Sequence, residues 1–203
     1  MTTILWFSRD LRLSDNPALA AAVSRGQPII PLFVLDDEDA GQRAVGGASR
    51  WWLHGSLEAL GATLRRCGTQ LVIRRGKAEA VIDEIIKQTG ATGVYWNRRY
   101  EPWAKARSEH LKKRLTDRGL EAKSFNSALI CEPWTLKTQS GDFYRVFAPF
   151  WKALRSRGVD GIAQSPPQQL PAPVTFPESD ALSNWALRSK TPDWAAGFRM
   201  LWT

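Results

Sequence analysis

Strand and helix signals alternate without a break through the first 125 residues, and that alternation narrows the chain to one broad architecture. Short apolar runs, rich in β-branched and aromatic residues, occupy 3–8 (TILWFS), 28–35 (PIIPLFVL), 70–74 (QLVIR), 93–96 (GVYW) and 121–125. Between them, helices are predicted at 18–24, 48–67, 78–88 and 102–118. Pro17 opens the first of these behind Ser14, Asp15 and Asn16 as caps, and Gly26 closes it; Gly68 and Gly119 close the second and fourth. In the third, Val81, Ile82, Ile85 and Ile86 share one face. Near-continuous apolar strands separated by helices predict a parallel sheet covered on both sides, a doubly wound five-stranded α/β fold. One local conflict stands out. Pro28 and Pro31 place the second strand at a start or an irregular edge, because proline cannot donate to a ladder.

Beyond residue 125 the pattern changes. Extended segments over 127–135 and a polar turn at 138–142 lead into a predicted helix at 144–157. Six of the twelve prolines then fall between Pro166 and Pro192, which is linker composition. The stretch nevertheless carries Trp185, Trp194, Phe198 and Trp202, which a solvated tether does not need. Either it wraps its own domain, or it packs on something this chain lacks. The expected organisation is therefore an α/β domain over 1–130, an extension with a terminal helix over 131–158, and a Pro-rich linker over 159–203.

Composition then excludes several classes. No apolar run approaches the roughly 20 residues a membrane helix needs, so no membrane partner is expected. The N-terminus is too short for a signal peptide before Arg9-Asp10, and two cysteines, Cys67 and Cys131, suit a reducing compartment; a cytoplasmic protein is expected. With only His54 and His110 beside those cysteines, a metal site is not expected. There is no dinucleotide fingerprint and no P-loop, and no nucleophile elbow or paired carboxylates, so no catalytic residues are assigned. Gly46-Gly47 before a helix start offers backbone N–H groups to an anion, although a loop that needs glycine torsions is the simpler reading. The net charge is +8, and fourteen of the 28 basic residues lie between Arg65 and Arg118 against six acidic ones. A solvated helix face explains them first. Weak, non-specific, salt-sensitive attraction to DNA is the functional alternative.

Open parallel sheets bind ligands where the carboxyl ends of their strands diverge. Those ends fall at 7–12, 33–38, 74–77 and 97–103, rich in aromatics, arginine and acids. Aromatic faces stack on planar rings, while arginines and carboxylates hydrogen-bond their polar edges. Ten tryptophans are an unusual number for this length, and Trp51, Trp52, Trp96 and Trp103 add planar surface here. Any one of them alone reads as core packing; together they predict a pocket for a planar ligand.

The stretch 5–17 (LWFSRDLRLSDNP) resembles the opening signature of DNA photolyases and cryptochromes. Three more stretches agree with that family in order and spacing: 94–102 (VYWNRRYEP), 125–134 (FNSALICEPW) and 144–152 (YRVFAPFWK). The resemblance spans about 3–155 and is nearest to bacterial class I or class III enzymes that repair cyclobutane pyrimidine dimers. It implies a Rossmann-like N-terminal domain that holds an antenna chromophore, either methenyltetrahydrofolate or a deazaflavin. Excitation would pass to FAD in a C-terminal helical domain, which would split dimers flipped out of damaged DNA. The FAD domain would be missing from this chain, leaving it inactive alone and with an apolar interface open to self-association or covered by its own tail. By resemblance, Phe33, Arg50 and Glu101 match the deazaflavin pocket, which Asn97, Arg99 and Trp103 would complete. Trp103 and Ala104 stand where folate binders carry Asn-Glu, and Arg99 where deazaflavin binders carry an acid. The rival readings are a cryptochrome-type light-signalling module acting through partner binding, and a nucleotide-binding domain of the universal-stress type.

Overall fold

The computed structural model describes residues 1–37, 45–158, 163–189, 191–193 and 195–201. Five strands form one parallel sheet: β1 (Thr3–Phe7), β2 (Ile29–Leu35), β3 (Val72–Arg75), β4 (Gly93–Asn97) and β5 (Glu121–Phe125). Their order is β3-β2-β1-β4-β5. The helices between them are α1 (Pro17–Ser24), α2 (Gly47–Arg66), α3 (Ala78–Thr89) and α4 (Pro102–Asp117). The alternation predicted all of these, with ends within about two residues of those seen.

The chain steps outward from β1 to β3, then crosses back to start β4 on the other side of β1. Right-handed crossovers therefore place α1 and α2 on one face and α3 and α4 on the other. Strand alternation follows. Leu5, Phe7, Phe33 and Leu35 pack with Leu19, Leu57, Leu60 and Leu64. Ile4, Trp6, Leu32 and Val94 pack with Ile82, Ile85, Leu111 and Leu115 on the opposite face. The register Phe7↔Phe33 and Trp6↔Trp96 brings the aromatic strand ends to one level.

Local chemistry sets the boundaries. Asn16 caps α1 by accepting from Leu19 N at 3.0 Å, and Pro17 occupies the first turn. β2 is an interior strand despite its prolines, and the conflict resolves locally. β3 pairs only from Leu32 onward, so Pro28 and Pro31 sit where that flank has no ladder. Ile29 N instead donates to Pro171 O at 2.7 Å. A fifth helix, α5 (Phe147–Arg157), begins three residues later than the predicted 144. The reason is Pro149, which fits a first turn but would break an i→i−4 bond in a second.

The Pro-rich stretch is no free tether between 163 and 187. Leu170 N donates to Cys67 O and Asp180 N to Ile73 O, both at 2.8 Å, while Ser179 Oγ accepts from Ile73 N at 3.0 Å. The segment thus covers the open edge of β3. Leu170, Trp185 and Leu187 are buried in the α1/α2 core. Trp185 lies 6.2 Å from the Phe33 ring and donates through Nε1 to Asp180. Of the two alternatives, wrapping its own domain is the one seen for this part of the chain. Trp194, Trp202 and the Phe198 side chain lie outside the described residues. Among the described residues, no helix is long and apolar enough to cross a membrane.

Candidate functional site

A cavity of about 750 Å³ opens at the carboxyl ends of β1 and β2, bounded by the start of α2 on one side and by α4 on the other. This is the switch point, where β1 and β4 send their connections to opposite faces. Its floor includes Phe33, Val34 and Leu35 from β2, and Ser8, Arg9 and Asp10 from the loop after β1. Gly46, Ser49, Trp52 and Leu53 of the α2 start face Trp103 and Arg107 of α4.

The α4 wall is held by a set of cation–ring and ion-pair contacts. Its helical spacing puts Trp103 and Arg107, four residues apart, on one face. The Arg107 guanidinium lies 5.4 Å from the Trp103 ring centre and 5.0 Å from that of Trp6, while Arg99 lies 4.5 Å from Trp103. Trp6 in turn packs 6.2 Å from Trp96, whose Nε1 donates to Ser108 Oγ at 2.8 Å. Two carboxylates hold the arginines. Glu101 receives Arg99 at 2.8 Å and Arg9 at 2.9 Å; Asp36 lies 3.7 Å from Arg107 and also accepts from Ala78 N at the start of α3. The Arg99 hydrogen bond holds the Glu101 carboxyl down to about 2, so it is fully ionised near neutrality. Aromatic rings with guanidiniums lying over two of them suit a flat ligand that bears acceptors or a negative charge.

Of the residues named from sequence, Phe33, Arg99 and Trp103 line this cavity. Arg50, Asn97 and Glu101 do not. Arg50 turns to Asp37 and to Val45 O, joining the α2 start to the end of β2. Asn97 is buried: its Oδ1 accepts from Ala18 N at 3.1 Å, and its Nδ2 donates to Asp10 at 2.6 Å and Asn16 at 2.7 Å. It fixes the first turn of α1 and the loop after β1. Glu101 stands behind the wall as the clamp on Arg99 and Arg9. Sequence reasoning missed Trp6 and Arg107. Strand alternation, combined with the i, i+4 spacing from Trp103, carried the signal for both.

The basic stretch is largely tied down. Arg114 reaches Asp83 and Glu79, Arg118 reaches Asp83 at 2.7 Å, His110 meets Glu79 at 3.0 Å, and Lys113 meets Asp117 at 2.6 Å. The pairs to Asp83 and Glu79 join the α4 region to α3, Lys113–Asp117 lies within α4, and together they blunt the field a phosphate backbone would feel. A second cluster surrounds Glu132, which binds Arg98 through two hydrogen bonds at 2.8 and 3.1 Å and accepts from Tyr100 Oη at 2.6 Å. Burial, reinforced by that carboxylate, pushes the Tyr100 phenol up to about 12. Tyr100 carries Trp134 against it at 6.1 Å.

A family model described as DNA photolyase matches residues 3–173. A deoxyribodipyrimidine photo-lyase from Agrobacterium fabrum is 46% identical over 200 residues, covering 98% of this chain and 41% of that protein. Cryptochrome-1 of Arabidopsis thaliana is 36% identical over 214 residues, covering 99% of this chain and 31% of that one. The crystal structure of a bacterial class III photolyase from Agrobacterium tumefaciens superposes with a TM-score of 0.91 at 45% identity, covering all of this chain and 41% of that one. The chain thus spans about two fifths of the length of its photolyase relative. It is a member of the DNA photolyase family, corresponding to the N-terminal α/β domain of longer members.

Proposed function

We propose that this domain holds a planar light-absorbing chromophore, methenyltetrahydrofolate or a deazaflavin, in the cavity between α2 and α4. When bound, that group would absorb light and pass its excitation to FAD held by the helical part of a longer protein, for repair of pyrimidine dimers in DNA. The observation that carries the reading is the cavity itself. It has the volume of a cofactor site, stands at the switch point of the sheet, and is walled by indole and phenyl rings with arginines set against them.

In this reading Phe33 and Trp103 supply flat faces, and Arg99 meets a ligand acceptor. Arg50, Asn97 and Glu101 hold the α2 start, the β1 loop and Arg99 in place. The domain's part in this reading is light capture, and the dimer-splitting chemistry belongs to the helical part of a longer protein. The partner surface is α5, where Phe147 and Trp151 stack at 6.1 Å, and both rings remain exposed. The helical domain would cover them; without it, they favour self-association. The free cysteines Cys67 and Cys131 suit the cytoplasm. The signalling alternative draws on the cryptochrome relative; the higher identity to a photolyase, 46% against 36%, favours repair.

Titration of the purified chain with methenyltetrahydrofolate and, separately, with 5-deazariboflavin tests the site. A shifted absorption band that co-elutes with the protein, weakened at least about fivefold by Trp103→Ala through the loss of a stacking contact worth about 1 kcal/mol, is the expected result. Failure of both probes to bind would remove the reading.

A further inference from the structure

Tryptophan walls create a difficulty for a site that must keep an excited state alive. An indole is a ready one-electron donor, and at contact range an excited planar ligand takes that electron and loses its excitation. The electron would leave Trp6 or Trp103 and reduce the ligand, and the ring left behind would be an indole radical cation.

Of the three indoles that line the cavity, Trp6 and Trp103 are covered by guanidinium groups, while Trp52 stands at the α2 start, 62% exposed. Arg107 stands 5.0 Å from the centre of Trp6 and 5.4 Å from that of Trp103, and Arg99 stands 4.5 Å from Trp103. We propose that Arg107, assisted by Arg99, holds Trp6 and Trp103 against oxidation, so that these two rings orient the ligand without quenching it. The inference rests on the reading of the cavity as a chromophore site, and it adds a role for two arginines towards the same ligand.

The physical basis is charge. A guanidinium stays protonated in any protein and stacks flat on a ring, where a neutral indole attracts it through its π face. Once the ring loses an electron, that attraction becomes repulsion between two positive charges a few ångströms apart. Burial strengthens it: the Arg107 side chain is 12% exposed and its partner Asp36 only 9%. Asp36 and Glu101 offset part of the field, but the groups in contact with the rings are the guanidiniums. Trp6 is packed in the core against Trp96 and cannot move away.

The fluorescence lifetime of methenyltetrahydrofolate or 5-deazariboflavin bound to the 203-residue chain reads the effect. Arg107→Gln should shorten the bound-probe lifetime at least about twofold, a modest demand on a charge lost at this range. Arg99→Gln should shorten it less. Adding Trp6→Phe and Trp103→Phe to either variant should restore it. An unchanged lifetime in both arginine variants with probe bound overturns the proposal and leaves the chromophore site standing. A shortening that persists without the indoles overturns it as well. If Arg107→Gln does not fold, Arg99→Gln with and without Trp103→Phe decides. If neither probe binds the unaltered chain, the site and this inference fall together.

Discussion

Asn97 ends β4 with a side chain that serves three neighbours, and its energetics come from what its removal would strand. Asn97→Ala leaves the buried Ala18 N–H without its acceptor and takes donors from Asp10 and Asn16. The expected cost is about 2 kcal/mol, or a fall in Tm of about 4–8 °C, measured by thermal unfolding. Glu101 acts through charge. Its carboxyl is lowered from the ordinary 4.5 to about 2, chiefly by the Arg99 hydrogen bond. A depressed carboxyl contributes stability that is present above its unfolded value and lost as pH falls towards the folded one. Glu101→Gln should therefore be less stable than the unaltered chain above about pH 5, with the gap closing between about 4.5 and about 2. Urea midpoints of both proteins across that range would show it; a gap that stays constant with pH would contradict the clamp. Neither role is visible from residue type alone, because a buried Asn and a half-buried Glu acquire their partners only when α1, β4 and the β1 loop converge.

At the level of elements, α1 to α4 and β1 to β5 followed from apolar period and from proline and glycine punctuation. Those are local steric effects that act before any packing exists. The trailing segment obeys no such rule. Its prolines and weak periodicity read as a tether, yet its backbone bonds to the β3 edge and Trp185 enters the α1/α2 core. Trp185→Ala should cost about 3–5 kcal/mol, as for other buried aromatic truncations, and should lower the denaturant midpoint. A loss below about 1 kcal/mol would mean the segment lies on the surface without holding it. The α3/α4 ion pairs make a parallel case: a basic run in one dimension becomes a largely paired interface in three.

Across the whole molecule, most large apolar side chains are buried on the two sides of the sheet, while Phe143, Val146, Phe147 and Trp151 remain exposed together around α5. Exposed aromatics of that density suit a partner rather than water. The paired change Phe147→Ser with Trp151→Ser should alter unfolding free energy by no more than about 0.5 kcal/mol, since it removes little buried contact. The same change should lower self-association of the isolated domain in sedimentation velocity. Destabilisation well beyond that figure would show instead that α5 is part of this domain's own core.

The amino-acid sequence alone determined the doubly wound fold, the end of the sheet at which the cavity opens and the family, because periodicity, helix boundaries and signature stretches are properties of neighbours along the chain. Phe33, Arg99 and Trp103 were reachable in that way, each lying at or just beyond the carboxyl end of a strand. Only the tertiary structure decided that Arg107 leaves its basic run to stand between Trp6 and Trp103. It alone turned Arg50 away to Asp37 and folded Trp185 back onto Phe33. Those outcomes depend on contacts between residues far apart in sequence, whose free energies arise only after the sheet has set the distances between them.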